Sequence, residues 1–429
     1  MFWNKEMETL RGRDLEELQL KRLKWTISQA EKVPFFKDKL RAEGLSADDI
    51  RNLDDIRKLP FTYKTDLREG YPFGFFAVPK RDIVRIHTTS GTTGKPTVVG
   101  YTRHDLAAWA DLIARNLTMV GLTPEDTFQN AVNYGLFTGG LGFHYGAELM
   151  GMMVIPSATG NTKRQIEMIN DFKVTSIHCT PGYALHITEV VEQMGTSLPS
   201  LRIGVFGAEA WSETMRQELE SRLSINAYDS YGMSEMFGPG VAFECPEQNG
   251  LHIWEDCFLS EIIDPKTGET LGPGEKGELV ITSLSKEAMP LLRYRTGDIT
   301  MILEDDCPCG RGRRIARIMG RSDDMLVIRG INVFPSQIEH VLLGIPEVGD
   351  QYMVYVDRKN HLDEMTIDVE MNRQAFSGEL DGLVGLQVMI SRKLHDALSL
   401  RTTVRLVEPG SLPRFEGKAK RVIDRRGDL

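Results

Sequence analysis

Ten consecutive residues, His87-Thr88-Thr89-Ser90-Gly91-Thr92-Thr93-Gly94-Lys95-Pro96, gather hydroxyls, two glycines and one lysine directly after a run that reads as a strand. Glycines let backbone N–H groups approach phosphate oxygens, hydroxyls donate further bonds, and lysine supplies charge, which is the chemistry of a triphosphate-binding loop. The stretch is not a Walker A loop. That motif needs Gly-x-x-x-x-Gly-Lys-Ser/Thr opening a helix, whereas here position 89 is Thr and Lys95 precedes Pro96. Taken alone, the same composition also suits a Ser/Thr/Gly surface turn. A second group with chemical potential is Cys245, His252, Cys307 and Cys309, the last two in the turn Cys307-Pro308-Cys309-Gly310. Three thiolates and one imidazole complete a tetrahedral set with no position open for water, so the implied metal is a structural Zn²⁺ rather than a catalytic one. The spacing is not that of a standard zinc finger, and three thiols beside an unrelated histidine is the competing reading.

These residues need a scaffold that brings distant segments together. Residues 10–30 carry apolar side chains at helical spacing, and Val33-Pro34 ends the pattern, because the residue before a proline disfavours helix. From about residue 84 to 320, short apolar or β-branched runs (Asp82-Ile86, Met152-Ile155, Ser176-Cys179, Arg202-Phe206) alternate with helix-like stretches such as Lys163-Phe172 and Thr214-Ser221. That alternation predicts an α/β fold with a largely parallel sheet. After Asp256 the strand-like pieces Phe258-Asp264, Gly277-Leu284 and Ile299-Leu303, broken by turns, predict an antiparallel β section closing a large N-terminal domain, residues 1–320. Residues 321–429 read as a small α+β domain, with strands at Met325-Ile328, Gln351-Asp357 and Met365-Met371 and helices beginning near Pro335 and Gly378.

Composition narrows the function classes. With 51 Lys and Arg against 61 Asp and Glu, the formal net charge of -10 argues against a broad nucleic-acid or anionic-membrane surface, so a phosphate-bearing partner must be held locally. Residues 1–18 mix charges and lack the apolar core of a signal peptide, and no stretch has the apolar length of a membrane span. A cytoplasmic location is expected. Five cysteines, an odd number, argue against a disulfide framework, and Cys179 and Cys257 are expected in the core.

The loop Ser90-Gly91-Thr92-Thr93-Gly94-Lys95-Pro96 resembles the signature loop of the acyl-adenylate-forming superfamily, which includes acyl-CoA synthetases, firefly luciferase and peptide-synthetase adenylation domains. Four more segments fit that superfamily in order. They are Tyr231-Gly232-Met233-Ser234-Glu235, Tyr294-Arg295-Thr296-Gly297-Asp298, the run from Gly320-Arg321 to Arg329-Gly330, and Gly417-Lys418. Within it, the chain resembles the phenylacetate-CoA ligase family over nearly its whole length, through Leu59-Pro60-Phe61, Tyr71-Pro72-Phe73-Gly74, residues 94–102, Tyr134 to Gly142, His144 to Glu148, and Asn332 to Ser336.

The resemblance implies a reaction and its parts. A carboxylate is a poor electrophile, so it is joined to the α-phosphate of ATP with loss of pyrophosphate, and the acyl group then passes to coenzyme A with release of AMP. Glu235 resembles the Mg²⁺ ligand. Asp298 resembles the carboxylate that binds the ribose hydroxyls, and Arg321 a second ribose or phosphate contact, although Thr-Gly-Asp alone is commonly a turn. Tyr231 is placed to stack on adenine, with Gly207, Ala208 and Glu209 on the other side, and Gly232, Met233 and Ser234 complete that motif. Lys418 resembles the lysine that bridges the substrate carboxylate and α-phosphate, and is preferred over Lys420 because it directly follows the glycine. Asp323 falls at the superfamily's hinge, which makes the small domain mobile, and Gly330 lets pantetheine pass close to the backbone. Tyr134, Phe137, Gly139 and Gly140 match the stretch that shapes the aryl pocket, with His144 beside it. Asn130-Ala131-Val132-Asn133 departs from that family's usual glycine pattern, and Thr88-Thr89 stands where Ala-Ser or Ser-Ser is usual.

The expected activity is therefore an ATP-dependent ligase making the CoA thioester of an aryl acid, phenylacetate first. Indoleacetate, benzoate or another aryl acid is the alternative substrate, and a carrier protein the alternative acceptor. A nucleotide-binding regulator without turnover is the reading from another class, and Lys95, Glu235, Asp298 and Lys418 argue against it. A homodimer is a reasonable expectation for the assembly.

Overall fold

The computed structural model describes residues 1–89, 95–322, 326–328, 331–333, 335–359, 362–372, 380–398, 400–414 and 421–426. The chain divides into two compact units. The first comprises Met1–Cys179, Val190–Ala208 and Ile225–Arg317; the second comprises Thr180–Glu189, Glu209–Ser224 and Ile318–Leu429. The second unit thus draws two short stretches from the middle of the chain, which linear pattern reading does not reveal, because both lie in or beside helices that alternate with strands of the first.

The first unit opens with helices α1 (Lys5–Glu8), α2 (Gly12–Ala30), α3 (Pro34–Ala42) and α4 (Lys64–Glu69). Helix α2 buries Leu15, Leu23, Ile27 and Ala30 along one stripe, and Pro34 starts α3 where its fixed φ and missing N–H cost nothing. A hairpin of β1 (Arg85–Thr88) and β2 (Val98–Tyr101) leads to α5 (Arg103–Met119). Thr102 caps α5 reciprocally: its side chain accepts from Asp105 N at 3.1 Å, and Thr102 N donates to the Asp105 carboxylate at 2.9 Å.

The central sheet contains β3 (Thr127–Asn130), β4 (Met153–Ile155), β5 (Ser176–Cys179), β6 (Ile203–Gly207), β7 (Asn226–Met233), β8 (Gly238–Glu244) and β9 (Leu251–Ile253). Between these strands run α6 (Thr138–Leu149), α7 (Thr162–Asp171), α8 (Pro181–Met194) and α9 (Glu213–Leu223). Strands β4-β3-β5-β6-β7 are parallel in that spatial order, and β8, β9 and a late strand extend the sheet antiparallel from β7. Every residue of β3, β5 and β6 is buried, as parallel strands covered on both faces are. Because β4 and β5 lie on opposite sides of β3, the winding reverses beside β3, and the crevice above strand carboxyl ends at such a point suits a ligand.

Three antiparallel strands follow, β10 (Phe258–Ile263), β11 (Gly277–Ser283) and β12 (Tyr294–Thr300), and β13 (Arg314–Ile315) returns to pair with β9. The strand expected over Ile299-Leu303 starts instead at Tyr294. Thr-Gly-Asp reads as a turn in sequence, but Gly297, at φ +77°, sits within a register shift opposite Glu278 to Val280 and donates its N–H to Glu278 Oε1 at 3.1 Å.

The second unit holds β14 (Gly320–Arg321), the hairpin β15 (Leu326–Ile328) and β16 (Ile331–Val333), α10 (Pro335–Leu343), β17 (Val348–Lys359), β18 (Leu362–Met371), α11 (Leu380–Leu398), β19 (Thr403–Val407) and β20 (Val422–Asp424). Its sheet runs β19-β18-β17-β20, antiparallel at the centre and parallel at both edges. Ile338 and Leu342 of α10 and Ile390 and Leu394 of α11 close a separate core against Val354 and Ile367. This is an α+β unit with its own hydrophobic centre. No helix among the described residues is long and apolar enough to cross a membrane.

Candidate functional site

Strand β6 ends at Gly207, in register with Ser230, while β7 runs on through Tyr231 to Met233. A Cβ on Gly207 would overlap the carbonyl oxygen of Ser230, and Ala208 adopts φ +71°, so the backbone turns sharply away at the strand's carboxyl end. The buried Tyr231 hydroxyl donates to Asp298 Oδ2 at 2.6 Å. Two residues far apart in sequence are thereby joined. Gly232 allows the close β7–β8 approach after the register shift at Tyr231, since a Cβ there would lie 2.6 Å from Pro239 Cα.

Beyond Met233 the chain turns. Ser234 Oγ lies 3.2 Å from Thr138 Oγ1, and Glu235 is 97% buried in terms of its own surface, being only 3% exposed. Its Oε1 has no hydrogen-bond partner among the described residues; Lys64 Nζ, from α4, is 3.8 Å away. A buried carboxylate oxygen with no hydrogen-bond donor among the described residues and an ammonium 3.8 Å away sits where positive charge is favoured, which fits a Mg²⁺ ligand. Beneath it, Lys286 Nζ donates to the Glu235 carbonyl at 2.9 Å, and burial draws the pKa of this lysine down to about 8 against the pull of Asp105 and Glu235.

The base of the loop predicted to hold phosphates is pinned. Thr89 N donates to Thr97 O at 3.1 Å, and Thr97 N to Thr89 Oγ1 at 3.0 Å. His87 is fully buried, its Nδ1 3.1 Å from Leu136 O, and desolvation lowers its pKa. Lys95 is exposed, with Nζ 5.6 Å from the Tyr71 ring centre. Ser90, Gly91, Thr92, Thr93 and Gly94 lie outside the described residues.

The predicted aryl-pocket residues follow β3 at the reversal of winding. Asn130 Nδ2 donates to Gly140 O at 2.7 Å and to the Tyr134 hydroxyl at 2.8 Å, while Asn130 Oδ1 is 2.9 Å from His178 Nδ1. Tyr134 Oη is in turn 3.2 Å from His144 Nδ1, and His144 Nε2 is 3.0 Å from Glu148 Oε1. Burial lowers the pKa of His178 to about 3 and raises that of Tyr134 to about 12. Gly139 and Gly140 open α6; a Cβ on the first would lie 2.6 Å from the Phe137 ring, and on the second 2.6 Å from Asn133 O. Phe137 is itself exposed. Nothing in the sequence marks Asn130, Lys64 or Lys286 as a partner of these groups, because each meets them only through the fold.

In the second unit, Glu209 Oε1 accepts from Gly182 N at 3.0 Å, and Arg321 lies in β14. Asp323, Gly330 and Lys418 lie outside the described residues. Arg414 forms a two-pronged pair with the buried Glu370 at 2.6 and 2.8 Å. Arg421 stacks 4.5 Å from the Tyr352 ring centre and lies 3.7 Å from Glu339, whose pKa burial raises to about 7.

The ligand atoms of Cys245, His252, Cys307 and Cys309 all lie within 4.8 Å of one another. Cys245 and Cys307 sulfurs are 3.6 Å apart, and Cys309 Sγ is 3.2 Å from His252 Nε2. His252 Nδ1 is 3.0 Å from Gly312 O, a contact that fixes the Nδ1–H tautomer and leaves Nε2 available to a metal. The Cys245 thiol donates to the Cys309 sulfur, which holds the Cys309 thiol below its usual range. The donor set and its convergence fit a structural zinc.

Residues 18–285 match the AMP-binding enzyme family, and residues 330–426 match the AMP-binding enzyme C-terminal domain. The chain is 48% identical to the phenylacetate-coenzyme A ligase of Escherichia coli over 425 residues, covering 98% of this chain and 97% of that one. It is 46% identical to the phenylacetate-coenzyme A ligase of Thermus thermophilus, covering 99% of this chain and 100% of that one. Among solved structures, 2-hydroxyisobutyryl-CoA ligase in the postadenylation state with R3-HIB-AMP superposes with a TM-score of 0.93 at 28% identity, covering 100% of this chain and 93% of that one.

Proposed function

The chain belongs to the AMP-binding enzyme family, as an acid–thiol ligase of the phenylacetate-CoA ligase group, and from that premise we propose phenylacetate as the acid it activates and a role for each residue of the site. The overall reaction is ATP-dependent ligation of an aryl acid to coenzyme A through an acyl-AMP. The observation that carries the residue assignments is the Tyr231–Asp298 bond, formed just past the carboxyl end of β6, with the buried Glu235 four residues beyond Tyr231.

Asp298 accepts from the ribose hydroxyls, held in place by Tyr231, whose ring faces adenine beside Gly207 and Ala208. Glu209 and Arg321 add contacts to the nucleotide. Residues 90–95 hold the phosphates, and Glu235 holds Mg²⁺, which supplies charge neutralisation to them when bound. The acid's carboxylate oxygen attacks the α-phosphorus, and the bond to the pyrophosphate leaving group breaks. Lys418 stabilises the negative charge as it redistributes. The thiolate of coenzyme A, passing Gly330, then attacks the acyl carbonyl carbon, and AMP leaves. Asp323 is the hinge for the change between steps. Tyr134, Phe137, Gly139, Gly140 and His144 shape the aryl pocket. Cys245, His252, Cys307 and Cys309 hold zinc as a structural staple.

The test is pyrophosphate release across phenylacetate, benzoate and indoleacetate, with Lys418→Ala in parallel. Phenylacetate is expected to give the highest kcat/KM; no stimulation by any of the three would end the aryl assignment. Loss of Lys418 is expected to slow adenylation roughly a thousandfold while ATP binding by calorimetry persists. Unchanged turnover would remove Lys418 from the chemistry.

A further inference from the structure

Lys286 is fully buried, and an ammonium taken out of water must be compensated by the groups around it. The loop that carries it is clamped onto the first turn of α5. Asp105 Oδ1 accepts from Glu287 N at 2.7 Å, Asp105 Oδ2 accepts from Ala288 N at 3.0 Å, and Thr102 Oγ1 donates to Glu287 Oε2 at 2.8 Å. From that fixed base the ammonium lies 5.0 Å from the centre of the Tyr101 ring and 5.5 Å from that of Phe237, and donates to the Glu235 carbonyl. The Tyr101 hydroxyl donates to Phe237 O at 2.8 Å and lies 3.3 Å from Ser234 O. Three carbonyls of the 234–237 turn are thus held from beneath by one lysine and one tyrosine, while Glu235 Oε1 has no hydrogen-bond partner among the described residues.

We infer that Lys286 is a positioning residue for the reaction: with Tyr101 it locks the turn that aims the Glu235 carboxylate at the divalent cation of the bound nucleotide. This rests on the assignment of Glu235 as the cation's ligand. The sign of the effect separates positioning from simple electrostatics. A lysine that acted only as a nearby positive charge would repel the cation, and its removal would tighten cation binding. A lysine that holds the turn does the opposite when lost.

The experiment is titration of Mn²⁺ into the full-length protein with ATP and no acid, followed by calorimetry, for wild type, Lys286→Met, Tyr101→Phe, Glu235→Gln and the double variant Lys286→Met/Glu235→Gln. Lys286→Met is expected to weaken Mn²⁺ uptake roughly tenfold, the scale of one hydrogen bond to a charged donor. Tyr101→Phe is expected to act in the same direction, which keeps the test open should the lysine variant fail to fold. The double variant is expected to bind no more weakly than Glu235→Gln alone, because the lysine acts through that carboxylate. Wild-type affinity in Glu235→Gln overturns the ligand assignment, and the inference with it. A weakened Glu235→Gln beside unchanged or tighter binding in Lys286→Met and Tyr101→Phe overturns the inference alone. Additive losses in the double variant overturn it too, since they mean a general loosening of the fold.

Discussion

Asn130 has one amide orientation that satisfies its neighbours. Gly140 O can only accept, so Nδ2 must face it, and Oδ1 therefore accepts from His178 Nδ1–H. The Tyr134 hydroxyl accepts from Asn130 and donates to His144 Nδ1, which leaves His144 Nε2–H toward Glu148. His178 is kept neutral by burial, with a folded pKa of about 3 against an ordinary value of 6.5. Between those values the unfolded chain binds the extra proton, so stability falls as pH drops below 6.5, by ~1.4 kcal/mol per pH unit from this group. Urea melts at pH 7, 6 and 5 should show that decline, and His178→Asn should flatten it; an equal slope in the variant would mean other groups govern acid sensitivity. At this scale the motifs Tyr231 to Glu235 and Thr296 to Asp298 stand out through their resemblance to the superfamily, because Thr-Gly-Asp alone reads as a turn. Asn130 and Lys286 do not. Their partners lie 48 and 51 residues away, and an isolated amide or lysine has no local pattern.

Elements explain why two adjacent glycines at the start of α6 are not equivalent. At Gly139 an added methyl meets the exposed Phe137 ring, which can swing away; at Gly140 it meets the Asn133 carbonyl, which is backbone. Gly140→Ala is therefore expected to lower Tm and raise KM for the aryl acid about tenfold, and Gly139→Ala to change either much less, as overpacking against backbone costs ~1–3 kcal/mol. Equal effects in steady-state kinetics and melting would show that the contact is not what matters. The Cys/His cluster binds the β8–β9 hairpin to the 307–310 turn. One zinc per chain is expected by metal analysis, and Cys309→Ser should lose it together with several degrees of Tm. Full metal-free stability would dismiss the staple. The antiparallel section was legible as a class but misplaced at β12, because a glycine bulge inside a strand carries the composition of a turn. The edge strands β19 and β20 were missed: β20 is only three residues long, too short to show a period, and β19, though it alternates from Thr403 to Leu406, is a single five-residue run.

On the scale of the molecule, two separate hydrophobic centres predict heat unfolding that is not all-or-none. Scanning calorimetry should give a total enthalpy larger than the van't Hoff value, and a zinc chelator should shift only the transition of the first unit. A single cooperative peak that moves as a whole would contradict this. The AMP-binding enzyme C-terminal match begins at residue 330, yet the second compact unit also claims Thr180–Glu189 and Glu209–Ser224. Anyone transplanting this module into a relative, or borrowing one from it, therefore inherits a surgical constraint. A single cut near residue 317 would part the tail from two middle-chain stretches that cluster with it, so grafts made with and without those stretches must be compared before the tail is treated as the portable piece.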